Sequence, residues 1–155
     1  MATYNFKSVG ITDENRTKQQ LTTTPVPVGI KTPLRPGQAD GIFALNYSLA
    51  DQMHDNLRNL LLTNWGERLG FYDFGANLRP LTAEFVSEDD FDSQAITRIN
   101  GAVRRWMPYI SLEDYVSTVN HTQNKNTGII QLTVSYSIPA LNVKNKQLVI
   151  VLYVM

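Results

Sequence analysis

The chain has 155 residues, enough for one domain with a buried core, and its charges balance at 14 basic against 14 acidic. That balance disfavours duplex nucleic acid and an anionic membrane as partners, because both call for a basic excess. The absence of cysteine excludes disulfides, thiol catalysis and cysteine-ligated zinc, and fits a reducing cytoplasm.

The first residues, MATYNFKSVG, lack the apolar core of a secretory signal. Residues 1–46 read as an extended, irregular arm and residues 47–155 as the folded domain. Pro25, Pro27, Pro33 and Pro36 remove backbone donors and favour extended chain. The arm carries five bases against three acids. Its Val26, Val28, Ile30, Leu34, Ile42, Phe43 and Leu45 are more apolar than a solvated tail needs, which favours a strap that orders against a neighbour.

A helix is expected over 48–64. Ser48 is placed to cap it, Asp51 sits in its first turn, and Leu49, Met53, Leu57, Leu60 and Leu61 form one stripe, with Gly66 ending it. Residues 78–86 suggest a short helix with Pro80 in its first turn. A longer helix is expected over 88–107, capped by Ser87. Glu88, Asp89 and Asp90 load its start, Arg104 and Arg105 its end, and Phe91, Ala95, Ile99, Val103 and Trp106 line one face before Pro108 stops it.

The remainder reads as strands over 109–120, 129–138 and 147–154, with turns over 120–128 and 139–145. In the second strand Ile130, Leu132, Val134, Tyr136 and Ile138 alternate with polar residues, the mark of a half-buried antiparallel strand. The last strand differs. Leu148, Ile150, Leu152 and Val154 point one way and Val149, Val151 and Tyr153 the other, so both faces are apolar. Such a strand wants cover on both faces and is a hazard on an open edge. Strand addition by other chains would supply that cover. The run is too short to cross a bilayer.

Catalytic and ligand-binding patterns are sparse. His54 and His121 are the only histidines, and they lie far apart with no metal-ligand spacing. His54 falls off the helical stripe and reads as exposed. No G-x-S-x-G elbow or phosphate-binding glycine pattern occurs; Gly66, Gly70 and Gly75 have the wrong spacings. Glu67 and Asp73, with Glu84 following, are the one pair of carboxylates set among aromatics, and a glycosidase needs such a pair. The plainer reading makes Trp65, Phe71, Tyr72 and Phe74 core residues under a tight connector, with the carboxylates paired to Arg68 and Arg79.

The segment Leu60 to Phe85, LLLTNWGERLGFYDFGANLRPLTAEF, resembles the signature of the small baseplate wedge family of contractile phage tails, also called lysozyme-like, with relatives in type VI secretion baseplates. The matching residues are Thr63, Gly66-Glu67-Arg68, Asp73-Phe74-Gly75 and Glu84-Phe85, and the resemblance covers about residues 46–155. It implies a noncatalytic structural subunit of the virion tail baseplate, assembled in the host cytoplasm. The implied partners are larger wedge subunits, the tail sheath protein, and tail tube or hub proteins, with no nucleic acid, membrane, metal or cofactor. The alternative is a peptidoglycan-cleaving tail enzyme using the paired carboxylates.

On this reading Leu148, Val149, Ile150, Val151, Leu152, Tyr153 and Val154 template the first sheath ring. Gly66, Glu67, Arg68, Asp73, Phe74 and Gly75 form a buried connector, with Arg68 and Asp73 as a charge-assisted pair. Trp106, Met107, Pro108 and Tyr109 meet wedge chains. There the sequence departs from the family, many of whose members carry tryptophan-glutamate-proline-arginine; an apolar contact through Met107 and Tyr109 takes the place of an ionic one. The expected fold is α+β: two main helices and a short one packed on a small antiparallel C-terminal sheet, preceded by the arm.

Overall fold

The computed structural model describes residues 26–37, 41–84, 88–121 and 128–154. The expected cap Ser87, motif residue Phe85 and most of the turn at 120–128 lie outside them. The elements in chain order are β1 (Gly29–Ile30), β2 (Leu45–Asn46), α1 (Leu49–Leu62), α2 (Leu81–Glu84), α3 (Glu88–Trp106), β3 (Ser111–His121), β4 (Gly128–Ile138) and β5 (Val143–Val154). The architecture is α+β, with three helices on one face of a three-stranded antiparallel sheet of order β3-β4-β5.

Burial follows the two periodicities in the sequence. Leu57, Leu60 and Leu61 of α1 and Phe91, Ala95, Ile99 and Val103 of α3 meet Ile130, Leu132, Val134 and Tyr136 of β4 and Leu148, Ile150 and Leu152 of β5. Each such large side chain contributes about 1.5–3 kcal/mol by leaving water. Leu49, at the start of the α1 stripe, stays exposed. Ser48 occupies the N-cap position with extended backbone but makes no capping hydrogen bond. The helix ends earlier than expected, because the Thr63 backbone turns extended and its N–H and Oγ1 both donate to the Asn59 carbonyl, at 3.1 and 2.6 Å.

Polar contacts tie both long helices, α1 and α3, to the sheet. Asp92 of α3 accepts from the Tyr115 hydroxyl at 3.2 Å and from Ser117 at 2.8 Å, both on β3. Burial, with the Asp92 charge beside it, pushes the Tyr115 hydroxyl well above its usual range. His54 of α1 is half-buried and not exposed as expected: it stacks on Tyr136 with ring centroids 6.0 Å apart, and its Nδ1 lies 2.7 Å from the Tyr136 hydroxyl. Tyr136 is large enough to reach the imidazole across the core from β4.

β5 begins at Val143, four residues before the expected start. Pro139–Leu141 forms a single 3-10 turn, and Asn142 takes a left-handed φ of 53°. The β4–β5 register then shifts between Tyr136 and Ile138. Asn145, at φ 50°, sits in that irregularity. Asparagine tolerates this conformation better than most side chains, so strand pairing continues through it.

The described part of the arm is extended but not wholly irregular. β1 pairs antiparallel with β2, and Pro36 bridges Phe43, making a narrow hairpin. The hairpin is latched to α1 by one carboxylate. Asp55 is 6% exposed, and its Oδ2 accepts from the Thr32 N–H at 2.9 Å and from Asn46 Nδ2 at 2.7 Å. Val26, Leu34 and Ile42 remain exposed on the hairpin.

Candidate functional site

β5 is an edge strand among the described residues. Leu148, Ile150 and Leu152 face the core, so their side chains are not open to a partner. Val149, Val151 and Tyr153 face outward with 47%, 40% and 64% of their surface exposed. Val154 closes the strand opposite Gly128. The strand's only charges, Lys144 and Lys146, lie in its first half, and Lys146 pairs with Asp51 of α1 at 3.0 Å. From Gln147 to Val154 no charge, proline or bulge guards the edge.

The opposite edge is built differently. β3 carries Glu113 and Asp114 at a bulge between Leu112 and Asp114. Charges and bulges are the usual protection of an edge strand. The outer sheet face between the two edges is mixed: Val116, Thr133 and Val149 lie side by side, followed by Thr118, Gln131 and Val151.

The G-E-R to D-F-G loop joins α1 to α2 and is held by its own polar groups. Glu67 accepts from the Asn64 backbone N–H and from Asn64 Nδ2, both at 2.8 Å. Asn64 Oδ1 accepts from the Arg79 N–H at 3.3 Å, and Trp65 Nε1 donates to the Gly75 carbonyl at 3.1 Å. Arg98 of α3 donates to the Asn77 carbonyl at 2.6 Å. Gly75 is buried at φ 112°, and a Cβ there would stand 2.1 Å from the Thr63 carbonyl oxygen. Only glycine allows the chain to pass this close to the end of α1.

Two expectations for this loop are overturned. Asp73 does not pair with Arg68; it pairs with Arg105, which the last turn of α3 brings beside it. Arg68 instead lies over the Phe74 ring, 3.9 Å from its centroid. Nor is the loop a buried connector throughout. Gly75 is buried and Phe74 half-buried, but Gly66, Glu67, Arg68 and Asp73 are exposed, as are Trp65, Phe71 and Tyr72. The ten residues or so between α1 and Phe74 make a turn too tight to fold four rings inward; Phe74 and Phe71 both meet Trp106 edge to face, at 5.1 and 5.9 Å, but only Phe74 of the four loop rings is half-buried.

The chemistry of the carboxylates follows. Hydrogen bonds from Asn64 hold the Glu67 carboxyl below its ordinary range, with Arg79 adding to the effect. A general acid needs the opposite shift. Asp73 is occupied by Arg105. Among the described residues no three His, Cys, Asp or Glu side chains converge as a metal site would need.

At the end of α3 the structure divides the expected wedge contact. Met107 is 4% exposed and belongs to the core, so it cannot supply a contact there. Its N–H continues the helical bonding to the Val103 carbonyl at 2.8 Å, which turns the side chain inward. Trp106 is half-buried, while Pro108 and Tyr109 face solvent. The Asp55 latch had no signature in the sequence, since an aspartate off an apolar stripe reads as solvated.

No family model matches the chain, and no curated protein matches it by sequence. Its fold is shared with solved structures. A chain in the cryo-EM structure of the 6-fold symmetrised anti-feeding prophage (AFP) baseplate superposes with a TM-score of 0.56 at 18% identity, over 70% of this chain and 82% of that one. A provisionally named tail lysozyme from Geobacter sulfurreducens gives a TM-score of 0.47 at 19% identity, over 68% and 89% of the two chains.

Proposed function

We propose that the chain is a noncatalytic structural subunit of a contractile tail baseplate, joining wedge proteins and templating the first ring of sheath subunits by strand exchange at β5. The observation that carries this reading is the unguarded outer half of β5, with Val149, Val151 and Tyr153 facing out beside an open backbone edge. A strand added there would pair main chain to main chain and cover apolar side chains that the domain leaves in water. The shared fold with an AFP baseplate chain supports the setting. Pro108, Tyr109 and the exposed apolar residues of the hairpin are the surfaces offered to wedge chains, and the sheath protein is the partner at β5. Tail tube or hub proteins are further neighbours in such an assembly, and a chain so assembled would lie in the virion tail.

Deleting β5 is a poor test, because it would remove Leu148, Ile150 and Leu152 from the core. Val149→Lys with Val151→Lys changes only outward positions and is expected to alter folding stability by no more than about 1 kcal/mol. Baseplates assembled with this double variant should form but fail to start a sheath. Normal sheath yield and length from a correctly folded variant would overturn the reading. A peptidoglycan-cleaving role draws less support, since Glu67 is held ionised and Asp73 is paired. Clearing of a peptidoglycan suspension by the purified chain, lost in Glu67→Gln, would establish it instead.

A further inference from the structure

α3 does not close against the start of β3. Two clefts open between them, of about 300 and 220 Å³, and they share Asn100 and Leu112. The larger takes Ile96, Ile99 and Val134 for its apolar lining, the smaller Val103 and Ile110. Ile99, Val103, Ile110 and Val134 are core residues, so both clefts reach the edge of the core, and Ile96 is partly exposed above them. The bulge between Leu112 and Asp114 lies at the larger cleft. Strand exchange at β5 uses none of this.

The placing of the clefts sets the shape of an occupant. Along α3 they are displaced by one turn, from residues 96–100 to residues 100–104, which is about 6 Å of helix. Alternate residues of an extended chain lie about 6.5–7 Å apart and point the same way. An extended segment laid along β3 therefore seats two side chains, two positions apart, one in each cleft. Asn100 lines both clefts, and its amide has no hydrogen-bond partner among the described residues. It can bond the segment's backbone between the two seated side chains.

Charge selects the ends of the segment. The charged residues of the larger cleft are Glu113 and Asp114, and that of the smaller is Arg104. None of the three makes an ion pair among the described residues. The two acids repel a phosphate backbone or an anionic headgroup, so nucleic acid and acidic membrane do not fit. They favour a lysine or arginine, while Arg104 favours a carboxylate at the other end. We propose that this groove docks an extended segment of a partner protein, with two aliphatic side chains at alternate positions, a basic residue at the bulge end and an acidic residue at the Arg104 end.

The proposal is independent of strand exchange, so its failure leaves that reading standing. The test titrates the isotopically labelled full chain with a blocked peptide, Lys-Leu-Ser-Leu-Glu, and follows the Asn100 side-chain amide by NMR. A roughly millimolar dissociation constant is expected for so few contacts. A peptide of the same composition with its leucines adjacent should bind about fivefold more weakly, and so should one with glutamine for lysine. Binding should weaken as salt rises. Glu113→Gln should weaken the lysine peptide about threefold and leave the glutamine peptide nearly unchanged, a coupling read as a double-mutant cycle. Ile96→Ser should weaken both peptides, and both variants should melt close to the parent. Asn100 signals that do not move at about 10 mM peptide would overturn the proposal. So would equal affinity for the two leucine spacings, equal affinity for a helical peptide with leucines four apart, or no coupling between the lysine and Glu113. Shifts that follow protein concentration alone would assign the groove to a second copy and overturn it as well.

Discussion

Asp55 is the point at which the hairpin is most open to perturbation. Its buried Oδ2 holds both the Thr32 N–H and the Asn46 amide, so Asp55→Ala strips two bonds at once; the Thr32 N–H loses its acceptor, while the Asn46 amide keeps Gln52 Oε1 at 3.2 Å. Hydrogen bonds to a charged group contribute about 1.5–3 kcal/mol each. The carboxylate also sheds water on folding, which offsets part of that gain. A net loss of about 2–3 kcal/mol in hairpin docking follows. Because much of the hairpin surface is exposed, the segment should open locally before the helices and sheet unfold. Trypsin cleavage after Lys31 reads that opening. When closing outpaces cleavage, the rate follows the open population and should rise roughly 30- to 150-fold. Asp55→Asn keeps the shape and one acceptor oxygen, so its cost should be near 1 kcal/mol and its rise about fivefold. An Asp55→Ala protein cut after Lys31 at within twofold of the parent rate would refute the latch.

Gly75→Ala should destabilise the domain by about 2–4 kcal/mol in urea melts, through a left-handed backbone and a clash with the Thr63 carbonyl. Gly70→Ala, also at positive φ but with open space around it, should cost only about 1 kcal/mol. Tyr136→Phe removes the hydroxyl that meets His54 and should cost about 1 kcal/mol, measured by the same melts. Burial, reinforced by Lys146 and Arg58 and opposed by Asp55 and Asp51, pushes the His54 imidazole below 6.5. The unfolded chain therefore takes up the proton first: the His54 contribution is full above about pH 6.5 and is lost as pH falls through the lowered folded value. His54→Phe should flatten the stability profile between about pH 7 and 5 relative to the parent, and an unchanged slope would count against that assignment.

The sheet and both long helices were legible because burial on one face writes a period into the sequence. Ile130, Leu132, Val134 and Tyr136 alternate, Phe91, Ala95, Ile99 and Val103 recur at helical spacing, and all eight are buried. Contacts set by tertiary approach were not legible. Arg68 and Asp73 are neighbours in sequence, yet Asp73 meets Arg105 because α3 ends beside it. His54 is off the α1 stripe but within reach of a tyrosine two strands away in sequence. Asn142 and Asn145 read as turn residues, and their left-handed backbones bear that out, but the strand pairs through the second of them. For the candidate site, the alternation in 147–154 grouped Leu148, Ile150 and Leu152 against Val149, Val151 and Tyr153, but with both sets apolar it did not say which faces the core, and the first three, expected at the sheath interface, are buried. The exposure of the aromatic loop was hidden, since tryptophan and phenylalanine beside glycines read equally well as core.

The two sheet edges limit how such a subunit can be joined. Strand addition at β3 would have to pass the bulge at Glu113 and place a partner backbone beside two carboxylates, whose desolvation would oppose pairing. At β5 the first half is closed in part by Lys146 held on Asp51, while the second half presents only Val149, Val151 and Tyr153. On the proposed reading a partner strand would be steered to one edge and to one end of it, and growth from this domain would have a single direction. Moving the guard should move the direction: adding lysines at Val149 and Val151 closes β5, and replacing Glu113 and Asp114 with threonine should open β3 to self-association. Sedimentation of that second variant would show concentration-dependent dimers if edge charge is what keeps β3 alone. A monomer at all concentrations would mean that the bulge by itself suffices, and that charge has no part in choosing the edge.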